Sequence, residues 1–412
     1  MQNSAVNKTV LDNGLTIVTE HNSVFRSVAL GIWIKMGSRF ETLEEKGMAH
    51  FIEHMLFKGT KNRTALEIAS SLEELGGSLN AFTGKEETCF YIHTLDSHLK
   101  ISVQVLADMI CNSLFRESDI EMEKHVVLEE IKAVKDTPDE YIFDIFQEKI
   151  FPDQPLGYPI LGNPENVRGF DRQKLIAFWK KHYHPSNIVV SASGNISHDS
   201  LVELVKFYFN FPDNADRIEM LPAKVAQNIH FKLSEPLNQT HICLGNGTIS
   251  YYDENRFDLI ALNTYLGGGL SSRLFQVLRE QHGLVYTVYS FLDFYKDTGV
   301  IGFYLGTDVK NQEKAIGELH KELDQIATNK LTLKKVNILK EQIKGSFFLS
   351  MESTFKRMSR LAKNEIYFNK FISADELAHS INQISPESIN KMANEYLNVT
   401  NLNSVIMSSG KN

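Results

Sequence analysis

The chain has 412 residues, 42% of them hydrophobic and 23% charged, with a formal net charge of −8 and an isoelectric point near 6.0. That length and apolar content leave room for two globular domains, and the mild acidity excludes a basic footprint for nucleic acid while favouring basic peptides only weakly. The three cysteines, Cys89, Cys111 and Cys243, are odd in number, far apart and free of any C-x-x-C, which points to a reducing compartment.

The opening stretch MQNSAVNKTVLDNGLTIVTE lacks the apolar core of a secretion signal, and no run of about 18 apolar residues occurs. A soluble protein without membrane association is expected. The first strong pattern is MAHFIEHMLFKGT, Met48 to Thr60. On a helix His50, Glu53, His54 and Phe57 fall at i, i+3, i+4 and i+7, so they share one stripe and the two imidazoles converge. Two neutral imidazoles one turn apart can hold a Zn²⁺ ion, and Glu53 on the same face can take a proton from water activated there. A core helix with one polar face is the plainer reading. It accounts for a single histidine better than for three matched positions, and His-x-x-Glu-His is the inverzincin signature.

Next in the chain, GGSLNAFTGKEETCFYIHTLDSHLKISVQVLADMI reads as a glycine pair, two strands and a helix. Ser118 to Asp136 then reads as a helix opened by a capping box of Ser118 and Glu121. One of its stripes, Glu121, His125, Glu129, Lys132 and Asp136, is wholly polar and belongs in solvent. Another, Glu123, Val127, Glu130 and Val134, mixes carboxylates with valines, and a carboxylate buried there needs a cation or hydrogen bonds. Glu130, not Glu129, is therefore the expected third metal ligand, with Glu123 one layer behind it. His182 and His184 form a His-x-His pair at an expected strand start with no carboxylate nearby, a weaker metal candidate.

The second half repeats the order of the first. HGLVYTVYSFLDFYKDTGVIGFYLGTDVKNQEKAIGELHKEL matches the strand-strand-helix run, a long charged helix follows from Leu331, and YLNVTNLNSVIMSSGKN closes the half as HYHPSNIVVSASGNI closes the first. The expected fold is α+β, two similar α/β sandwich domains from an internal duplication. Their bounds are 1–212 and 228–412, with a proline-containing linker over 213–227. Opposite the His-x-x-Glu-His helix the second half is read as LGGGLSSRLFQVL, which has no histidine, so one Zn²⁺ per chain is expected. The glycines there lack the Gly-Lys-Ser/Thr of a phosphate loop.

HFIEHMLFKGT, ELGGSLNAFTGKEETCFY, EKHVVLEEI, QPLGYPILG and LGGGLSSRLFQVLREQHGLVY together resemble the peptidase family of pitrilysin, insulin-degrading enzyme and mitochondrial processing peptidase, in its short, processing-peptidase-like branch. The resemblance spans nearly the whole chain. It implies a zinc endopeptidase for short or unfolded peptides, with the third ligand a glutamate about 75 residues past the motif, where Glu130 stands. It further implies helper carboxylates at Glu123 and Glu140, and a sheet edge at Asn80, Ala81 and onward to Thr83 that receives peptide by strand addition. Arg279 and Tyr286 of the second domain match a pair that holds the substrate backbone near the metal. The branch implies a dimer enclosing a chamber, of two copies or of one copy with a paralogue, in a bacterial cytoplasm or a mitochondrial matrix. The competing expectation is a non-catalytic partner subunit, in which the metal motif would have decayed.

Overall fold

The computed structural model describes residues 6–211 and 220–409, and their strands form two sheets. The first runs in the spatial order Val6–Val10, Thr16–His21, Ile188–Gly194, Ser27–Ile34, Thr88–Leu95, Ser78–Thr83. The second runs His230–Ser234, Asn403–Ser408, Thr240–Thr248, Gly299–Thr307, Val285–Phe294. With the N-terminal Val6–Val10 set aside, the two orders are the same. Each half places its first strand beside its last, in parallel, then its second, fourth and third strands, all antiparallel. The duplication is thus realised as an α+β fold built twice. Central strands such as SVALGIWI are buried along nearly their whole length, which is why they read as apolar runs rather than alternations.

The compact units differ from the contiguous blocks expected at 1–212 and 228–412. One unit comprises Met1–Lys132, Tyr158–Leu221 and Leu349–Phe371, and the other Ala133–Gly157, Pro222–Phe348 and Ile372–Asn412. Each sheet takes a covering helix from the other half of the sequence. In the first unit, helix Thr354–Phe368 buries Met358, Leu361 and Ala362. Gly31 makes room for it, since a Cβ there would stand 2.6 Å from the Met358 sulfur. The Ser191 hydroxyl donates to the Met358 carbonyl at 2.7 Å. In the second unit, helix Pro138–Ile150 buries Ile142, Ile145, Phe146 and Ile150, and Phe143 packs edge-on against Phe291 at 5.2 Å. Each such side chain contributes about 1.5–3 kcal/mol when buried, so fit to a sheet face outweighs nearness in sequence. Of the expected linker 213–227, residues 213–219 lie outside the described residues, and the chain passes from one unit to the other at Leu221 and Pro222.

The counterpart of the metal-motif helix also needs correction. Between the first two strands and the edge hairpin, the first half has helices Met48–Leu56 and Ala65–Glu73, and the second half has Arg256–Gly267 and the π-helical Phe275–Gln281. By chain order the partner of Met48–Leu56 is Arg256–Gly267, and LGGGLSSRLFQVL is the junction into the helix that follows.

Candidate metal centre

Helix Met48–Leu56 turns Met48, Ala49, Phe51, Ile52, Met55 and Leu56 into the core of the first unit, which leaves His50, Glu53 and His54 on the remaining face. Beside it stands helix Glu117–Lys135, whose buried residues are Ile120, Glu123, Val127 and Ile131. Glu123 and Val127 of the carboxylate-valine stripe are thus buried, while Val134 and Glu130, its side chain 39% exposed, are half-buried. Glu129 points to solvent and pairs with Lys132 at 2.5 Å. The capping box does not form: the helix begins at Glu117, so Ser118 lies inside its first turn, the Arg116 carbonyl accepts from Asp119 and Ile120, and Glu121 pairs with Lys124 at 2.6 Å.

His50, His54 and Glu130 bring one ligand atom each to within 4.8 Å of one another, and no other such group of three or more His, Cys, Asp or Glu occurs among the described residues. The two Nε2 atoms are 3.2 Å apart, and Glu130 Oε2 lies 3.7 Å from His54 Nε2 and 4.0 Å from His50 Nε2. Two nitrogen ligands of a tetrahedral Zn²⁺ stand about 3.3 Å apart, given bonds of about 2.0–2.1 Å. Glu130 Oε2 is buried without a hydrogen-bond partner. An oxygen so placed, facing two imidazole nitrogens, suits the third ligand position of a bound cation.

The surroundings fix one histidine more firmly than the other. The His54 Nδ1–H donates to Glu123 Oε1 at 2.7 Å, which sets the tautomer and frees Nε2. Glu123, its side chain 2% exposed, also forms an ion pair with Lys58 at 2.6 Å. Burial opposes its charge, but the His54 and Lys58 contacts outweigh that and hold its carboxyl below the ordinary range. Burial also opposes a charge on His54, yet the Glu123 hydrogen bond and the neighbouring carboxylates raise its pKa. His50 is pushed down to about 3, by burial first and then by His54, so it stays neutral, and its Nδ1 has no hydrogen-bond partner. Burial raises the Glu53 carboxyl, against the pull of a hydrogen bond from the Thr83 hydroxyl.

Asn80 and Ala81 lie on Ser78–Thr83, which is the edge strand of the first sheet and pairs on one side only, with Thr88–Leu95. The Ala81 amide is taken up by the Asn80 side chain at 2.8 Å. Glu140 lies exposed in the first turn of Pro138–Ile150, in the second unit. Arg279 and Tyr286 belong to that unit as well, Arg279 over the Phe275 ring at 4.8 Å and Tyr286 57% exposed on the edge strand Val285–Phe294. Their functional assignment, like that of Glu140, rests on the resemblance. His182 ends helix Arg172–His182 rather than opening a strand, and it is buried against Phe178. His182 and His184 join no metal-type cluster among the described residues.

Two contributors escaped the sequence reading. Lys58 was accessible, because it sits one turn past His54 on the ligand stripe. Thr83 was not, because only strand placement brings its hydroxyl to Glu53.

Residues 16–164 match the family pattern described as Insulinase (Peptidase family M16), and residues 169–343 match the Peptidase M16 inactive domain. The chain is 40% identical over 383 residues to the uncharacterized zinc protease YmxG of Bacillus subtilis, covering 93% of each chain. It is 35% identical over 397 residues to an uncharacterized zinc protease of Rickettsia felis, covering 96% of each. A crystal structure of a protease from Helicobacter pylori superposes with a TM-score of 0.91 at 22% identity, over 98% of this chain and 99% of that one, which bears on the fold alone. From identity over nearly its full length, the chain belongs to the insulinase peptidase family, M16.

Proposed function

We propose that the protein is a zinc-dependent endopeptidase acting on short or unfolded peptides, with His50, His54 and Glu130 as the metal ligands and Glu53 as the general base. The observation that carries this reading is the convergence of three ligand atoms, one an orphaned carboxylate oxygen, beside a histidine whose other nitrogen is held by Glu123. The relatives named zinc proteases support the choice of metal. When bound, Zn²⁺ supplies the Lewis acidity that ionises water near neutral pH and polarises a carbonyl. Glu53, held by Thr83 and lifted by burial, takes the proton from the attacking water and returns it to the leaving amine. The free edge of Ser78–Thr83 receives the substrate as an added strand, with the Asn80 side chain giving up the Ala81 amide. A non-catalytic partner subunit would have lost part of this set, and none of the set is missing.

The proposal extends to assembly. Two chains form a dimer around a chamber, and Arg279 and Tyr286 of one chain hold the peptide backbone at the zinc of the other. The exposure of Tyr286 on an edge strand supports this. The purified chain alone is expected to cleave an unstructured peptide, to stop on adding a chelator, and to recover with zinc. Absence of cleavage by the zinc-loaded protein removes the enzymatic reading. Mixing Glu53→Gln chains with Tyr286→Phe chains tests the sharing: each mixed dimer regains one competent centre. No recovery after demonstrated subunit exchange refutes the trans arrangement.

A further inference from the structure

We propose that Glu41 is a positioning residue of the metal site: its buried carboxyl group grips the first turn of the helix carrying His50, Glu53 and His54 and thereby sets the affinity for the ion. The inference rests on the metal reading proposed above. A helix start leaves backbone N–H groups without partners, and a residue at the N-cap usually satisfies one with its own side chain. Here the N-cap is Gly47, at φ +89°. A Cβ at that position would lie 2.6 Å from the Leu161 carbonyl oxygen and 2.8 Å from Gly162 Cα, so backbone on the facing segment closes the space. The helix cannot carry its own cap.

Glu41 supplies one from six residues upstream. Its Oε2 accepts from the Gly47 amide at 2.9 Å and its Oε1 from the Ala49 amide at 2.8 Å, and the residue is 1% exposed. Ala49 is the immediate neighbour of His50. Glu41 is itself anchored, because the turn Ser38–Phe40 before it is tied to the loop that follows the edge strand. Ser38 donates to the Gly84 carbonyl at 3.2 Å, Arg39 to the Lys85 carbonyl at 2.9 Å, and the Arg39 side chain pairs with Glu86 at 2.6 Å. Helix start and edge-strand loop are thus linked through one buried side chain. The N-terminal end of the helix is held by Glu41, while Glu123 holds His54 in the last turn. Loss of the first grip frees His50, which has no hydrogen bond of its own at Nδ1.

The test uses the full-length protein and two readouts, Zn²⁺ affinity by competition with a chromogenic chelator and the Tm of the metal-free form. Glu41→Gln keeps one acceptor oxygen but replaces the other, which can accept whether ionised or carrying its proton away from the N–H, by an amide NH₂ that cannot, so one grip is lost; Glu41→Ala loses both. Zinc affinity is expected to fall about 10-fold in Glu41→Gln and about 100-fold in Glu41→Ala, the range for groups that orient ligands. The exposed Glu44→Gln is expected to match the parent. A purely structural cap would lower Tm while leaving zinc affinity below Tm within twofold of the parent, and that result overturns the proposal. Should Glu41→Ala fail to fold, Glu41→Gln decides alone. A parent protein that takes up no zinc overturns the metal reading and this inference with it, whereas a zinc-binding parent with unchanged Glu41→Gln affinity overturns this inference only.

Discussion

The two units share strand order and pairing sense, yet the described residues hold one metal-type cluster, and it lies in the first. The helix in the corresponding place of the second unit, RFDLIALNTYLG, buries Leu259, Ala261, Leu262 and Leu266 and carries no histidine. A duplicated scaffold therefore preserves packing while the chemistry follows a few side chains. The same contrast shows in buried charge. The first unit tolerates Glu123 inside a helix pair because His54 and Lys58 meet it, and the second buries Glu322 against Arg273, a pair complete without an ion.

The contrast is most severely tested at Glu53. Glu53→Gln is expected to retain zinc and to lose about 10²–10⁴-fold in kcat, the share of a general base; metal analysis showing zinc lost along with activity would falsify the division between ligand and base. A substitution in the second unit should separate turnover from metal binding in the same sense. In the proposed shared site the Tyr286 hydroxyl donates to the substrate carbonyl oxygen as it becomes an oxyanion, so Tyr286→Phe is expected to cut kcat by about 10²–10³-fold, the cost of one such donor, with zinc affinity untouched. A drop in affinity would mean that the second unit contributes to the metal site. Within the first unit, Glu130→Gln should weaken zinc binding by about 10–100-fold or more, while Glu129→Gln, already paired in solvent with Lys132, should be nearly silent. Equal effects would show that the wrong face of the helix had been assigned to the metal.

The smallest expected effect concerns pH. Burial pushes the Glu41 carboxyl up to about 8 from an ordinary 4.5, against the pull of the Ala49 and Gly47 amides, with Lys85 and Glu45 as the nearby charges. The folded chain then keeps a proton that the unfolded chain releases between those values, so this group's contribution to stability falls as pH rises through the window. Thermal melts of the metal-free parent and Glu41→Gln should show the parent's advantage shrinking from pH 5 to pH 9. A constant difference across that range would remove Glu41 as the titrating group.

How much of this was legible beforehand differs by residue. His50, Glu53 and His54 were readable because a helix converts fixed spacing into a shared face. Glu130 was singled out over Glu129 because a carboxylate among valines has to be compensated, and the structure groups a Glu130 oxygen with both histidines while Glu129 pairs with Lys132. The duplication was readable because each half repeats the same succession of periods. The capping box at Ser118 was misread because a Ser-x-x-Glu spacing recurs inside helices as well as at their starts, and the preceding residue decides where the helix begins.

What the sequence by itself determined was therefore local: the periodic elements, the face each presents, and the metal-type side chains that two faces bring together. What only the tertiary structure decided was which distant segments meet. Helices Pro138–Ile150 and Thr354–Phe368 each cover the sheet of the other half, Thr83 reaches Glu53, and Glu41 closes the helix start that Gly47 leaves open. An amphipathic pattern states that a helix will bury one face but not against what, because burial of apolar area is non-directional and the choice falls to shape, as at Gly31 and Gly245, where a missing side chain admits Met358 and Phe146.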